Sequence, residues 1–577
     1  MLPTTRAEAV ALGWDELDVV LVSGDAYVDH PSFAAAIVGR FLQSLGLRVG
    51  VIPQPDWRRA ADFAALGRPR LFFGVTAGNI DSMVAHYTAQ RKIRTQDAYT
   101  EHGAHGARPY LPTVVYTNRL KAAFKDAPVI VGGIEASLRR VAHYDCYTDR
   151  VRAPILLDAK ADLLVFGNGE APLKEIVLRM GRGEPLGEIR DVRGTAVPLG
   201  KGDPDPAAGA VELPAFEAVR DDKAAFALMT RLVLENLNPY NARPLLQRAG
   251  TRRVWVNPPA LPLAQAELDR VYALPFERRP HPRYKGKVPA FEMIAASITA
   301  HRGCYGGCSF CALSLHQGRF IQSRSKASIV AEAAALAGAG RAVVTDVGGP
   351  TANMYGTGCT SDAAMRACAR QSCLFPRPCP HLGTDAGAYV DVLRAARAAP
   401  GVRGVFVNSG VRYDLARESP AFIEELARHH VQGELSVAPE HCDEGMLALM
   451  HKPPIAAFEA FLAAFRDACR RAGRPAAVAP YLIVGHPGAT DATEGAIRAF
   501  VVKHGLCAEQ IQEFYPTPMS LSTAMHVTGM DTYTGRPLAA GRKLGEKRRW
   551  KERILGRPAS SPPARRPPRP GAPRGRR

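Results

Sequence analysis

Three cysteines within a stretch of eight residues constrain this chain more than any other feature of its sequence. Cys304, Cys308 and Cys311 follow the spacing Cys-x3-Cys-x2-Cys. A 4Fe-4S cube has four irons, and most protein sites bind all of them through cysteines. Three thiolates from one loop would bind three irons and leave the fourth without a protein ligand. The spacing therefore predicts a 4Fe-4S cluster with one open iron, at which chemistry can occur.

The same loop contains three glycines: Gly303, Gly306 and Gly307. A loop that folds around a cube must visit positive φ and bring backbone amides close to the sulfides, and glycine meets both needs. The alternatives are a zinc knuckle or three buried free thiols. Zinc sites prefer paired Cys-x2-4-Cys units and four ligands, and this triplet provides neither.

The sequence around the cysteines reads HRGCYGGCSFCALSLHQGR at 301–319, followed by RSKAS at 324–328. It resembles the radical S-adenosylmethionine (radical SAM) enzymes and, among them, the YgiQ-type branch. The resemblance implies that the three cysteines are the catalytic cluster ligands and that the open iron binds the amino and carboxylate groups of SAM. It also implies that the reduced cluster breaks the sulfonium carbon–sulfur bond of SAM and gives a 5'-deoxyadenosyl radical. The electron would come from a donor such as flavodoxin or ferredoxin.

Residues 1–200 predict a parallel α/β domain. A strand over 17–23, a helix over 33–45 and a strand over 49–53 make one βαβ unit. Three further apolar runs each end in glycines before a helical pattern: RLFFGVTAGNID, APVIVGGIEASLRR and ADLLVFGNGEAPL. Parallel strands gather such loops at their carboxyl edge, where ligands usually bind.

This layout resembles the cobalamin-binding domain that precedes many radical SAM domains. That domain places Asp-x-His-x-x-Gly after its first strand, whereas here Asp25 is followed by Tyr27, and His30 stands five positions on, before Pro31. The sequence therefore argues against cobalamin. Polar residues of the strand-end loops are candidate substrate contacts, with capping and ion pairing as the alternative: Asp29, His30, Asp81, Glu135, Arg139, Arg140, His143 and Asp145.

Residues 201–290 predict a helical and proline-rich linker, and residues 291–530 predict a partial (β/α)6 barrel in which strands alternate with helices. In radical SAM proteins a Gly-Gly-Glu-like segment after the second strand receives the amino group of SAM. The resemblance implies this role for Gly348 and Gly349, although Pro350 replaces the acidic residue. Backbone carbonyls would then have to accept the bond.

Two charged residues follow later strands of the predicted barrel. Arg412 and Glu440 lie at strand carboxyl ends, which face the mouth of a barrel. They are the expected polar clamp for the carboxylate and ribose of SAM or for the substrate.

A predicted insertion over 354–385 contains four more cysteines: Cys359, Cys368, Cys373 and Cys379. Four thiolates suit a closed structural zinc site or an auxiliary iron–sulfur cluster. Zinc is favoured, because an insertion with few apolar residues needs an external staple to fold.

The formal net charge of +19 is concentrated near the C-terminus, since residues 541–577 carry +12 of it. A C-terminal extension at 531–555 precedes an Arg- and Pro-rich segment at 556–577, whose composition predicts disorder. A basic tail of this kind could contact nucleic acid weakly.

The distribution of cysteines bears on the compartment. Seven of the 11 fall within residues 304–379, which is typical of metal sites in a reducing compartment. No apolar run approaches the length of a membrane span, and no opening stretch has the pattern of a signal peptide. The sequence thus predicts a cytoplasmic protein without membrane contact.

Together these features predict a radical SAM enzyme of unknown substrate. One alternative is a zinc-stapled nucleic-acid-binding protein without catalysis. A second is an RNA-modifying enzyme similar to the methylthiotransferases. That family carries three further cluster cysteines in its N-terminal half, where this chain has only Cys146.

Overall fold

The apolar runs that end in glycine form the central strands of one large sheet in the N-terminal half. The computed structural model of the protein describes residues 1–507, 510–539 and 543–556. The strands of this sheet are β1 (Val19–Ser23), β2 (Val49–Pro53), β3 (Phe72–Thr76), β4 (Val129–Gly132), β5 (Leu163–Val165), β6 (Thr195–Leu199), β7 (Val211–Glu212), β8 (Leu245–Ala249) and β9 (Arg252–Val256).

The strands lie in the order β2-β1-β3-β4-β5-β6-β9-β8-β7. All pairs from β2 to β5 are parallel, whereas β6 is antiparallel to both β5 and β9. In β1, Val19 pairs with Val49 of β2 on one side and with Phe72 of β3 on the other. The strand order therefore reverses between β1 and β3. This is the topological switch point at which open α/β sheets bind ligands.

The sheet extends past residue 200, the predicted end of the N-terminal domain. The segment 201–290, predicted to be a helical and proline-rich linker, contributes β7, β8 and β9. A tight turn with Gly250 at positive φ joins β8 to β9 as an antiparallel hairpin. The hairpin buries Trp255 completely, so this segment is part of the domain core.

Helices cover both faces of the sheet: α1 (Ala34–Ser44), α2 (Pro112–Ala123), α3 (Gly133–Leu138), α4 (Glu170–Gly181) and α5 (Lys223–Glu235). Alternate side chains of β1 point to opposite faces, as the pleat requires. Val20 belongs to the same apolar cluster as Tyr116 of α2. Leu21 belongs to the cluster on the other face, with Leu42 of α1. Both faces of the sheet are therefore buried under helices, as is typical of a parallel sheet.

The C-terminal half alternates short strands with helices. Its strands are β10 (Ser297–Thr299), β11 (Val343–Val344), β12 (Asp346–Gly348), β13 (Gly404–Val405), β14 (Glu434–Glu440), β15 (Ala477–Val484) and β16 (Ile511–Glu513). Its longer helices are α6 (Lys326–Gly338), α7 (Gly387–Arg397), α8 (Ile455–Ala472), α9 (Asp491–Lys503), α10 (Leu521–Thr528) and α11 (Leu544–Ile554).

The strand pairs of this half are parallel: β10 with β12, β11 with β13, and β14 with β15 and β16. A parallel bridge from Val411 to Val437 links the segment after β13 to β14. These pairings are the ones that a six-stranded parallel arrangement needs, and closure into a partial barrel stays a prediction. The tail at 557–577 lies outside the described residues. In the described part of the chain, no helix combines the length and the apolar character needed to cross a membrane.

A buried ion cluster fixes the loops at the carboxyl edge of the large sheet. The guanidinium of Arg108 is fully buried and donates to both carboxylate oxygens of Asp97, at 2.7 and 3.0 Å. It also lies 2.9 Å from a carboxylate oxygen of Asp25, in the loop after β1, and donates to the Ala77 carbonyl after β3. One side chain thereby joins the loops on either side of the switch point.

Replacing Arg108 with methionine should lower the free energy of unfolding by about 3–5 kcal/mol, because two carboxylates would stay buried without their cation. Thermal and urea unfolding followed by circular dichroism would measure this loss. Arg248 is the matched control. Its partner Glu212 is exposed at the surface, so Arg248→Met should cost less than about 1 kcal/mol. Equal losses in the two variants would contradict the structural role of Arg108.

Candidate functional site

The three cysteines lie on a loop whose conformation requires glycine at two positions. We call residues 303–312 the cysteine loop; it follows a two-residue strand, His301–Arg302, that pairs with Gln322–Ser323. Gly303 has φ 87°, and a Cβ there would lie 2.1 Å from the Phe320 carbonyl oxygen. Gly307 has φ 64°, and its Cβ would lie 2.5 Å from the Cβ of Ser372. Any larger residue at either position would force the loop open.

Two of the three thiols of this loop lie in a poorly solvated environment. Burial raises the pKa of Cys304, and burial together with neighbouring negative groups raises the pKa of Cys311 to about 12. Thiols in such surroundings stay protonated unless a cation compensates the thiolate charge. A positively charged iron centre would provide that compensation.

Arg412 brings a guanidinium to the cysteine loop. Its Nη1 lies 3.6 Å from Sγ of Cys308, within the range of a hydrogen bond to sulfur. Its Nε and Nη2 donate to the carboxylate of Asp414 at 2.9 and 3.0 Å. Gly306 allows this approach, because a Cβ there would lie 2.8 Å from Nη1. The guanidinium is therefore aimed at a cysteine sulfur, a position that the sequence-based expectation of a SAM clamp did not include.

Glu440 lies close enough to the cysteine loop for its charge to act on Cys311. Burial raises its pKa, while the charges of Lys452 and Arg412 oppose that rise. Its backbone has φ 70°, a left-handed conformation that is rare for a residue with a side chain. Its negative charge contributes to the raised pKa of Cys311, which places the two groups near each other. The structure thus brings Arg412 to Cys308 and Glu440 close to Cys311. Their role as a clamp for SAM or the substrate stays a prediction.

The Gly348-Gly349 segment packs tightly against the side chains of Ser409 and His301. A Cβ on Gly348 would lie 2.2 Å from Oγ of Ser409, and one on Gly349 would lie 2.6 Å from the ring of His301. The Gly348 carbonyl already accepts a hydrogen bond from Ala300, at 2.7 Å. If backbone carbonyls receive a ligand here, Gly349 is the better placed of the two.

The insertion that contains the second cysteine group packs directly on the cysteine loop. Ser372 is buried and donates to the Gly306 carbonyl at 2.7 Å, and the amide of Cys373 donates to the Tyr305 carbonyl at 3.1 Å. Burial raises the pKa of Cys373 to about 11. The sequence carries no signal for this docking, because serine is common and Gly306, the partner of Ser372, is 66 residues away in the chain.

The four cysteines of the insertion differ in their surroundings. Cys368 and Cys379 lie close enough to Cys373 for their charges to act on its thiol. Cys359 is exposed, and its Sγ contacts the Ser361 carbonyl at 3.3 Å. Within residues 1–507, 510–539 and 543–556, no three His, Cys, Asp or Glu side chains converge closely enough to hold a single metal ion. A zinc site at this group stays a prediction.

Most of the candidate polar residues of the N-terminal loops are engaged in contacts within the fold. Asp29 forms an ion pair with Arg40 at 2.5 Å, and Asp81 accepts from the guanidinium of Arg139 at 3.1 Å. Glu135 accepts from the Thr113 amide at 3.1 Å. These contacts match the alternative of capping and ion pairing.

A buried chain of hydrogen bonds that runs from the cysteine loop through α10 to His486 was not predicted. Ser309, which lies between Cys308 and Cys311, exchanges a hydrogen bond with Ser522 of α10 at 2.7 Å. Ser522 in turn contacts Nε2 of His486, also at 2.7 Å. Burial lowers the pKa of His486 to about 3, so its ring is neutral at physiological pH. The loop is therefore tied to the C-terminal part of the domain as well as to the insertion.

Comparison with known proteins agrees with these features. The family model described as radical SAM N-terminal matches residues 1–297, and that of the radical SAM superfamily matches residues 298–500. A UPF0313 protein of Geobacter sulfurreducens is 53% identical over 96% of this chain and 92% of its own length. The UPF0313 protein YgiQ of Escherichia coli K12 is 45% identical over 95% of this chain and 80% of its own length.

Among solved structures, the radical SAM methyltransferase TsrM from Kitasatospora setae, with cobalamin and a [4Fe-4S] cluster bound, aligns with a TM-score of 0.48. The alignment has 18% identity and covers 87% of this chain and 77% of that one. Likeness at this level decides nothing about activity or cofactor. The family matches and the two UPF0313 relatives are decisive: this chain belongs to the radical SAM superfamily of enzymes and, within it, to the UPF0313 family that includes YgiQ.

Proposed function

We propose that the protein binds a 4Fe-4S cluster through Cys304, Cys308 and Cys311 and uses it to cleave SAM reductively. The observation that carries this proposal is the cysteine loop itself. Three half-buried thiols share one turn, glycines allow its backbone to close, and a guanidinium is directed at one sulfur. The residues present fit the cluster, because their thiolates need a positive centre and their spacing supplies three ligands.

When bound, the cluster would supply one electron to SAM. The sulfonium carbon–sulfur bond would break, methionine would leave, and the 5' carbon of the adenosyl group would keep the unpaired electron. A donor such as flavodoxin or ferredoxin would return the electron. The protein contributes binding, orientation and exclusion of water.

Individual residues of this chain would have distinct roles. Arg412 would donate to the sulfur of Cys308 and so stabilise the thiolate, a contact that tunes cluster potentials in general. Asp414 would hold that guanidinium in place through its two hydrogen bonds. The Gly349 carbonyl would accept from the amino group of SAM, and Glu440 would accept from a hydroxyl of its ribose.

We propose that Cys359, Cys368, Cys373 and Cys379 bind a second metal centre, either zinc or an auxiliary cluster. The amide of Cys379 donates to the Cys373 carbonyl at 2.7 Å, so two of the four cysteines are brought together by the backbone, which supports this. The contacts of Ser372 and Cys373 with the cysteine loop would make the second centre a support for the first.

The first prediction of the proposal is that the anaerobically reconstituted and reduced protein forms 5'-deoxyadenosine and methionine from SAM. Cys308→Ala should lower the rate of 5'-deoxyadenosine formation at least ~100-fold, because the cluster would lose one of its three ligands. Cys507→Ala is the matched control, since Cys507 is exposed and belongs to neither cysteine group. Liquid chromatography with mass detection measures the product. Equal product from the parent and Cys308→Ala would contradict the proposal.

The second prediction concerns the insertion. Cys373→Ser should remove the zinc, or the iron in excess of one cluster, that the parent protein retains after gel filtration. Elemental analysis of both proteins, with Cys507→Ser as the control, identifies the metal. Unchanged zinc and iron in Cys373→Ser would refute a second centre and leave the first unaffected.

A further inference from the structure

A cavity of about 510 Å³ lies between the carboxyl edge of the large sheet and the strand that leads into the cysteine loop. We call it the interdomain cavity. Its deep part is apolar and runs along one face of the sheet. There the walls are Leu21 of β1, Phe72 of β3 and Ile130 of β4, with Val38 of α1 and Leu173 of α4 opposite. A volume of this size suits a small-molecule ligand rather than a few waters.

The mouth of the cavity is formed by backbone more than by side chains. Glycines from three strand-end loops line it: Gly78 after β3, Gly132 and Gly133 after β4, and Gly167 and Gly169 after β5. Gly78, Gly133 and Gly167 have positive φ. Glycines at strand ends let a ligand approach the main chain closely, and β1 and β3 flank the switch point of this sheet.

Two helices begin at the mouth. Helix α1 starts at Ala34 and α4 starts at Glu170, and in neither helix does the side chain of the N-cap residue bond to the first amides. Asn79 accepts from the Ala34 amide at 2.8 Å, whereas Ala35, the next residue of the first turn, also lines the cavity. First-turn amides have no acceptor within their own helix. Together with the helix dipoles they favour an anion at this position.

His301 gives independent evidence for a ligand. Its side chain is completely buried and lines the cavity, and neither ring nitrogen has a hydrogen-bond partner of good geometry. The Thr351 backbone lies near the ring, but it does not make a hydrogen bond of normal distance and angle to either nitrogen. Buried polar groups without partners are rare in folded proteins. A neutral imidazole offers one donor and one acceptor to a ligand.

The charged side chains in the cavity wall do not repel an anion. Glu170 would repel it if unpaired, but its carboxylate lies 2.8 Å from the guanidinium of Arg302, and both side chains are buried. This ion pair neutralises the acidic group. The electrostatics of the mouth are then dominated by the helix amides.

We propose that the interdomain cavity binds a mononucleotide, with its heteroaromatic base in the apolar part and its phosphate at the starts of α1 and α4. A base suits a slot with apolar walls on both sides, and a phosphate suits uncapped helix amides. His301 would bond to the sugar or the base. The same chemistry occurs in a free mononucleotide and in the nucleotide tail of a corrinoid. The proposal does not depend on SAM cleavage.

The position of this site has a functional consequence. His301 contacts Gly349 so closely that a Cβ on Gly349 would lie 2.6 Å from its ring. Gly349 also lines the cavity. A bound nucleotide would therefore lie beside the segment proposed to receive SAM, and it would act as a second cofactor or as the substrate.

Equilibrium binding to the full-length protein tests the proposal, with flavin mononucleotide, AMP, cobalamin and cobinamide as probes. At least one nucleotide-bearing probe should bind with a dissociation constant below ~1 mM. Val38→Trp fills the deep part of the cavity and should weaken this binding at least ~10-fold. Ser44→Trp makes a similar change at an exposed position of the same helix and should leave it unchanged. His301→Phe should weaken it about 10-fold through lost hydrogen bonds.

The probes separate the two sources of the ligand. Binding of flavin mononucleotide or AMP indicates a free mononucleotide. Binding of cobalamin that is lost with cobinamide, which lacks the nucleotide, indicates a corrinoid tail. The proposal is overturned if no probe binds to folded protein, if cobinamide binds as well as cobalamin, or if Val38→Trp binds like the parent.

Discussion

Gathering three half-buried cysteine side chains on one loop is the constraint on which the rest of this structure depends. A thiolate in a poorly solvated site is costly unless positive charge is close. The chain brings Arg412 to Cys308 and keeps that guanidinium in place through Asp414. Such proximity needs a backbone without side chains in the way, which explains the glycines of the loop. Conformation, electrostatics and metal chemistry thus impose the same requirements on a few adjacent residues.

The surroundings of the loop show how the two halves of the chain depend on each other. Arg302, next to the loop, forms its buried ion pair with Glu170 of α4, in the N-terminal half. His316, just after the loop, contacts the hydroxyl of Ser137 at 3.0 Å. Near this contact the backbone of Gly167 comes so close to the His316 carbonyl that a Cβ would lie 3.2 Å from it. The large sheet is therefore part of the environment of the cysteine loop, and the interdomain cavity is a result of that packing.

Local signals in the sequence predicted much of this. The cysteine spacing predicted the loop, and apolar runs that end in glycine predicted β1, β3, β4 and β5. Both patterns depend only on residues that are neighbours in the sequence. The helix predicted over 33–45 is observed as Ala34–Ser44. The β8–β9 hairpin was missed because its proline-rich surroundings suggested a linker.

Contacts between residues that are far apart in the chain could not be predicted from local sequence patterns. Ser372 reaches Gly306, and Ser309 reaches Ser522, across separations of 66 and 213 residues. Nothing in either local sequence marks these pairs. Asp414 is a partial exception, since a carboxylate two residues after Arg412 is a visible partner. The cavity beside His301 depends on how the two halves pack, which no local pattern encodes.

The central claim is that three cysteines hold a cluster whose fourth iron is open to SAM. Electron paramagnetic resonance of the anaerobically reduced protein, recorded with and without SAM, tests it most directly. A cluster with an open iron should give a spectrum that changes when SAM is added, because a new ligand alters the electronic structure of that iron. We expect such a change in the parent protein. A cluster spectrum that SAM leaves unaltered would show that no iron is open to it, and the proposed site of SAM cleavage would be wrong.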